Sequence, residues 1–194
     1  KGNCDVVGKE GRATGGNAVD RWLLEEFCLE LDYPLLGEEP ASSDGAFWRR
    51  LMLREACRVK EALHLQPSET VYMTPPEEMR RFEASLRGES RPLEVTRERL
   101  VEVLTTRGLY RMVEECVAGV LAQAEGADGA VDDVILVGGS TLLPGVYPAF
   151  EKRFGRDRVR AWQPFEAVVY GACAYAADRI VQTDFIVHDY AFVT

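Results

Sequence analysis

Apolar residues recur at steps of three and four from Val19 through Trp22, Leu23 and Phe27 to Leu31, which predicts an amphipathic helix with Asn17 at its N-cap position. Prolines, glycines and turn formers from Tyr33 to Gly45 predict a loop. Helical spacing returns at Trp48, Leu51, Met52, Ala56, Val59, Ala62 and Leu63, and Pro67 stops it. Beyond it "ETVYM" predicts a strand, "PPEEMRRFEASL" a short charged helix or loop, and "RGESRP" a turn. From Thr96, a candidate N-cap, a long helical pattern runs through Leu100, Val103, Leu104, Met112, Val113, Cys116, Val120, Leu121 and Ala124, with a break at Gly108. After the turn "EGADGAV", the run "DDVILV" is continuous, as in strands buried on both faces, and is followed by "GGST" and a helix over "LLPGVYPAFEKRFG". "RVRAW" predicts a short strand, and "QPFEAVVYGACAYAADRI" a helix opened by Pro164 whose small residues allow close packing on a sheet. A last strand is expected in "TDFIVHDYAFV". The opening "CDVVGKEG" has a short β-like core with no turn or cap before it, and the last strand stops without closure, so both ends look like cuts in a longer chain.

Composition narrows the classes. With 194 residues, 46% apolar and 28% charged, the chain can bury a core as one domain or two small ones sharing strands. Its 23 basic and 32 acidic residues give a net charge of −9, which disfavours nucleic acid and anionic membrane as partners. Stretches such as "VILV" and "VVYGACAYAA" fall short of a bilayer span, and the first fifteen residues hold no signal-peptide core, so a soluble, cytoplasmic protein is expected. The five cysteines, Cys4, Cys28, Cys57, Cys116 and Cys173, are widely spaced and form no C-x-x-C pair; buried or half-buried free thiols are expected. His64 and His188 are too far apart for a local ligand pair, and no metal site can be argued.

Candidate chemistry concentrates in "DDVILVGGSTLLPGV". The strand ends in Gly138-Gly139, where the missing Cβ lets backbone approach a ligand, and Ser140 and Thr141 add hydroxyls beside N–H groups at a helix start. Anions and nucleotides favour such a corner, although a glycine pair after a strand also serves as a plain tight turn. Asp132 and Asp133 precede the strand and, as neighbours, point to opposite faces; they are expected to be solvated.

Together with "QPFEAVVYGACAYAA", this segment closely resembles the end of the ATPase domain of the DnaK-type, 70-kDa heat-shock chaperone family, within the actin-like, sugar-kinase-like ATPase superfamily. The family's adenosine motif, Val-Gly-Gly-Ser-Thr-Arg-Ile-Pro after a strand, is met by Val137, Gly138, Gly139, Ser140, Thr141 and Pro144. Its next motif, Asn-Pro-Asp-Glu-Ala-Val-Ala-Tyr-Gly-Ala, is met by Pro164, Glu166, Ala167, Val168, Tyr170, Gly171 and Ala172. Upstream the likeness thins. Gly15, Gly16 and Asp20 match a Gly-Gly segment that approaches the nucleotide, "LEVTRERLVEVL" is similar to a Thr-Arg helix start, and Lys60 and Leu63 match a helix that presents polar residues to adenine and ribose. On that helix Cys57 stands where the family has glutamate, Glu61 where arginine is common and His64 where serine is usual. Leu142 replaces the arginine that stacks on adenine, removing a cation-π partner worth roughly 0.5–2 kcal/mol, and Phe165 replaces an aspartate. The resemblance therefore implies a more apolar base pocket than is usual.

It implies an α/β fold, an actin-like (ribonuclease H-like) ATPase lobe with an inserted, mostly helical α+β subdomain. Residues 1–15 and 93–181 form the expected sheet-and-helix subdomain of the second lobe, 16–92 the insertion, and 182–194 the start of a downstream segment. One mixed sheet is expected from strands near 4–7, 134–137 and 158–161, covered by helices near 145–154 and 164–180, with the long helix from Thr96 crossing to it. The implied ligand is ATP or ADP with Mg²⁺ in the full-length parent, at Gly15, Gly16, Lys60, His64, Gly138, Gly139, Ser140, Leu142 and Phe165. Its phosphates are expected to rely on backbone N–H groups, Lys60 and Mg²⁺. The family's phosphate hairpins, Asp-Leu-Gly-Thr and Asp-Leu-Gly-Gly-Gly-Thr, are absent from the sequence, as is the first lobe's catalytic lysine. No catalytic residue is assigned, and the chain alone is not expected to hydrolyse ATP. Implied partners are the first lobe of the same chain, co-chaperones and unfolded polypeptide. Two other readings stay open: a non-catalytic interaction module that kept the fold and lost nucleotide, and a lobe of a small-molecule kinase of the same superfold.

Overall fold

A computed structural model describes residues 2–33, 35, 37, 43–73, 92–124, 131–177 and 180–183. The charged helix or loop expected over 75–86, most of the turns expected near 87–92 and 125–131, and nearly all of the last expected strand lie outside the described residues. The chain divides into two compact units: unit 1 is residues 1–13 with 110–194, and unit 2 is residues 14–109.

Unit 2 packs three helices and a hairpin around one core. Helix α1 (Gly16–Leu31) begins one residue before Asn17, so Gly15 is its N-cap and Asn17 lies in the first turn. Helix α2 (Ser43–Leu65) ends ahead of Pro67, as the proline requires. Strands β2 (Ser68–Val71) and β3 (Leu93–Thr96) pair antiparallel, Ser68 opposite Thr96 and Val71 opposite Leu93. Helix α3 (Arg97–Thr106) is capped as expected: the Thr96 hydroxyl accepts the Arg99 N–H at 3.2 Å. The apolar stripes meet one another, burying Val19, Leu23 and Phe27 of α1 with Trp48, Met52, Val59 and Leu63 of α2. Tyr33 meets Trp48 edge to face at 6.2 Å and donates its hydroxyl to the Met73 carbonyl at 2.9 Å. The outer edge of β2 is satisfied by an ion pair on α2: Arg58 donates to the Thr70 carbonyl at 2.7 Å, and Glu55 accepts the Tyr72 N–H at 3.0 Å. Arg97 closes the C-terminus of α2 through the Leu63, His64 and Gln66 carbonyls. Residues 93–109, expected to join the sheet-and-helix region, stay in unit 2 because β3 pairs with β2 and α3 packs on α1 and α2.

Gly108 breaks the long helical pattern with φ 76°, and helix α4 (Leu109–Gln123) follows. In unit 1, β1 (Gly2–Asp5) pairs in parallel with β6 (Ile180–Thr183), while β4 (Val134–Ile135) pairs in parallel with β5 (Val159–Arg160). The single mixed sheet expected from the sequence is thus replaced, among the described residues, by separate two-stranded pairs. Parallel β4 and β5 need a crossover, which helix α5 (Val146–Phe154) supplies. The core beneath is Leu136, Phe154 and Val159, with Val117, Leu121, Tyr147 and Phe150 packed on it. The run "DDVILV" is not buried on both faces: Leu136 is buried while Ile135 and Val137 are 68% and 45% exposed, an alternation that one covered face produces. Helix α6 (Ala167–Ala176) begins three residues after Pro164 and leaves Val168, Val169, Tyr170 and Tyr175 exposed. Asp132 and Asp133 are exposed, and Asp133 pairs with Arg160 at 3.0 Å. Cys28 is buried and Cys57 and Cys116 are half-buried, all free; Cys173, on the outer face of α6, is exposed, against expectation. No helix among the described residues is long and apolar enough to cross a membrane.

Candidate functional site

In unit 1 the strand-to-helix corner is built around Gly138. Its φ of 84° and ψ of 156° are open essentially to glycine alone, so the residue type follows from the backbone path. Its N–H donates to the Pro164 carbonyl at 2.7 Å, which ties the end of the β4 run to the segment that opens α6. A Cβ on Gly139 would stand 3.1 Å from Cε1 of Phe165, so glycine here admits the aromatic ring. Residues Gly139–Leu142 then form one 3-10 turn. The Thr141 hydroxyl donates to the Gly138 carbonyl at 2.7 Å and is spent within the turn, whereas Ser140 is exposed. Leu142 is half-buried, and Phe165 is 64% exposed. Gly138, Gly139 and Phe165 are therefore brought together, with Ser140 and Leu142 on the same turn.

Tyr110 is a member of the corner that the sequence does not announce. Its hydroxyl donates to the Pro144 carbonyl at 2.7 Å, and Gly145, at φ 82°, lies so close that a Cβ would stand 2.9 Å from the ring. Burial pushes the phenol above its ordinary pKa, so it remains a donor. Only a tyrosine beside an aliphatic helical stripe marks it in sequence.

In unit 2 the candidates are Gly15, Gly16, Lys60 and His64. Gly15 is extended, and its carbonyl accepts the Ala18 and Val19 N–H groups at 2.9 and 3.3 Å; the space where a Cβ would point is open. Lys60 does not reach out as a free cation. Its Nζ lies 2.7 Å from Oδ1 of Asp20 and donates to the Gly16 carbonyl at 3.2 Å. His64 is one turn further along α2 and exposed. Cys57, one turn before Lys60, lies 3.5 Å from Oε1 of Glu61; burial and the Asp20 carboxylate push its thiol upward, against the pull of Lys60. The structure thus brings Gly16 and Asp20, which the resemblance groups in one segment, onto the same ammonium of Lys60.

The corner in unit 1 thus combines the glycine pair with the apolar side chains of Phe165 and Leu142. Among the described residues no group of three or more histidine, cysteine or acidic side chains is placed to hold a metal ion.

The chain matches the family model described as Hsp70 protein over residues 1–193. Among curated relatives, a ribosome-associated molecular chaperone of Eremothecium gossypii is 32% identical over 164 residues, 84% of this chain and 24% of the relative. A heat shock protein of Pyricularia oryzae is 30% identical and a ribosome-associated molecular chaperone of Candida glabrata 33%, with the same coverage. The chain spans about a quarter of the length of these relatives.

Proposed function

The chain belongs to the Hsp70 protein family, and from that premise we propose that it is a nucleotide-binding part of a chaperone ATPase: the second lobe of an actin-like domain, with unit 2 as its inserted subdomain. The observation that carries the proposal is the bond from the Gly138 N–H to the Pro164 carbonyl, with Phe165 against Gly139, since it joins the two motifs that resemble the family's adenosine site. The adenine ring packs on Phe165 and Leu142, and the backbone of Gly138 to Ser140 lines its approach. For Gly15, Gly16, Lys60 and His64 the assignment rests on the resemblance. ATP or ADP with Mg²⁺ supplies the phosphoryl chemistry when bound, and no residue of this chain is assigned a hydrolytic role. The first lobe, co-chaperones and unfolded polypeptide are the partners this reading implies for the longer protein.

Calorimetric titration with ADP and ATP in the presence of Mg²⁺ tests it. Micromolar binding is expected, tightened by Leu142→Arg, which restores a cation over the adenine face. Absence of heat at millimolar nucleotide in a folded chain overturns the reading in favour of an interaction module that kept the fold.

A further inference from the structure

Asp20 is the only buried charged residue among the described residues. It stands in the first turns of α1, four positions after Gly16, with Oδ1 2.7 Å from Lys60 Nζ. Both side chains are nearly enclosed, 13% exposed for Lys60 and 10% for Asp20. The same ammonium donates to the Gly16 carbonyl at 3.2 Å. A buried ion pair of this kind contributes little net stability over an apolar pair of similar volume, yet removing one partner leaves an uncompensated charge. Its geometry spans two elements: one contact reaches the carboxylate on α1, the other the backbone where α1 begins, and the lysine itself comes from α2. Cys57 lies on α2 one turn before Lys60.

We propose that Asp20 is a positioning residue: it neutralises Lys60 and holds its ammonium on the Gly16 carbonyl, fastening the Gly15–Gly16 turn to α2. The surface then carries hydrogen-bond donors without net positive charge. Lys60 Nζ and Asp20 Oδ1 meet as an ion pair without hydrogen-bond geometry, and the hydrogen bond of the ammonium goes to the Gly16 carbonyl. Such a surface suits the uncharged nucleoside part of a nucleotide and does not draw its phosphates. The inference rests on the nucleotide reading for its ligand and on the geometry alone for the fastening.

The test compares the whole chain with Asp20→Asn, Lys60→Met and the double variant, by two measurements. In the first, adenosine and ADP are titrated at low and high salt. Asp20→Asn keeps the shape and removes the neutralising charge, so the preference for ADP over adenosine should rise about tenfold at low salt and fade at high salt. Loss of packing alone would weaken both ligands together, and an unchanged ratio overturns the neutralising role. The second measurement is hydrogen exchange at the Ala18 and Val19 amides, which bond the Gly15 carbonyl. Each single variant should speed it severalfold, and the double variant no more than either; additive effects, or none, overturn the fastening. If the unaltered chain binds neither ligand, the nucleotide reading and the neutralising role fall together, and the exchange experiment still decides whether the pair fastens the turn. Should Asp20→Asn not fold, Lys60→Met carries the exchange test by itself, with unchanged protection as the overturning result.

Discussion

Unit 1 is the more apolar of the two in sequence, yet unit 2 encloses its apolar residues more completely. In unit 2 the stripes of α1 and α2 bury one another, and Trp48, Phe27, Leu23, Met52 and Leu63 are almost wholly enclosed. In unit 1 the core gathers around Leu136, Phe154 and Val159, while Ile135, Val137, Trp162, Phe165 and the α6 residues Val168, Val169, Tyr170 and Tyr175 remain exposed. Those exposed side chains belong to, or lie beside, the two segments that form the glycine corner. Apolar periodicity therefore reports which face favours burial, and only the packing of distant elements reports whether that face is covered.

Trp48 and Trp162 put the contrast to its severest test. Trp48→Ala opens a hole beside Tyr33 and Met52 and should cost about 3–5 kcal/mol in urea unfolding. Trp162, 73% exposed and stacked on Tyr170 at 6.1 Å, should cost no more than about 1 kcal/mol when changed to alanine. Similar losses at both positions would dissolve the contrast.

A buried cysteine sharpens it through pH. Burial, helped by Glu25, raises the Cys28 thiol from 9.0 to about 11. The unfolded chain then loses this proton first, so the stabilisation is complete below pH 9 and is lost as pH rises toward 11. At ~1.4 kcal/mol per unit the loss amounts to about 3 kcal/mol. Cys28→Ala should flatten the stability profile over that range.

Glycines come next. Gly138→Ala forces a side chain into a backbone region that only glycine tolerates and should cost about 1–3 kcal/mol, with faster hydrogen exchange at the corner. Gly15→Ala, at an extended position with open space, should cost less than about 1 kcal/mol. A helix cap gives an effect of similar size. Thr96→Ala removes the bond to the Arg99 N–H and should lower stability by about 1 kcal/mol, a loss that Thr96→Ser largely avoids.

Much of the local structure was legible from the chain. The helical steps from Val19 to Leu31 and from Trp48 to Leu63, the stop before Pro67, the Thr96 cap and the break at Gly108 all depend on neighbours within a few residues. The strand, glycine pair and following helix at 134–154 were legible for the same reason. Asn17 misled because a glycine two residues earlier can also cap a helix, and capping preference does not choose between nearby positions.

What the sequence determined by itself is this set of short-range features, together with two motifs whose residue types and separation mark the Hsp70 family. Tertiary structure alone decided that β1 takes β6 as its partner, that 93–109 stays with α1 and α2, and that Tyr110 braces the glycine corner. It also decided that Lys60 is held by Asp20, forty positions away. The reason is physical: periodicity and capping are set by bonds within a turn or two, whereas pairing, burial and charge neutralisation depend on which distant side chains arrive at the same place.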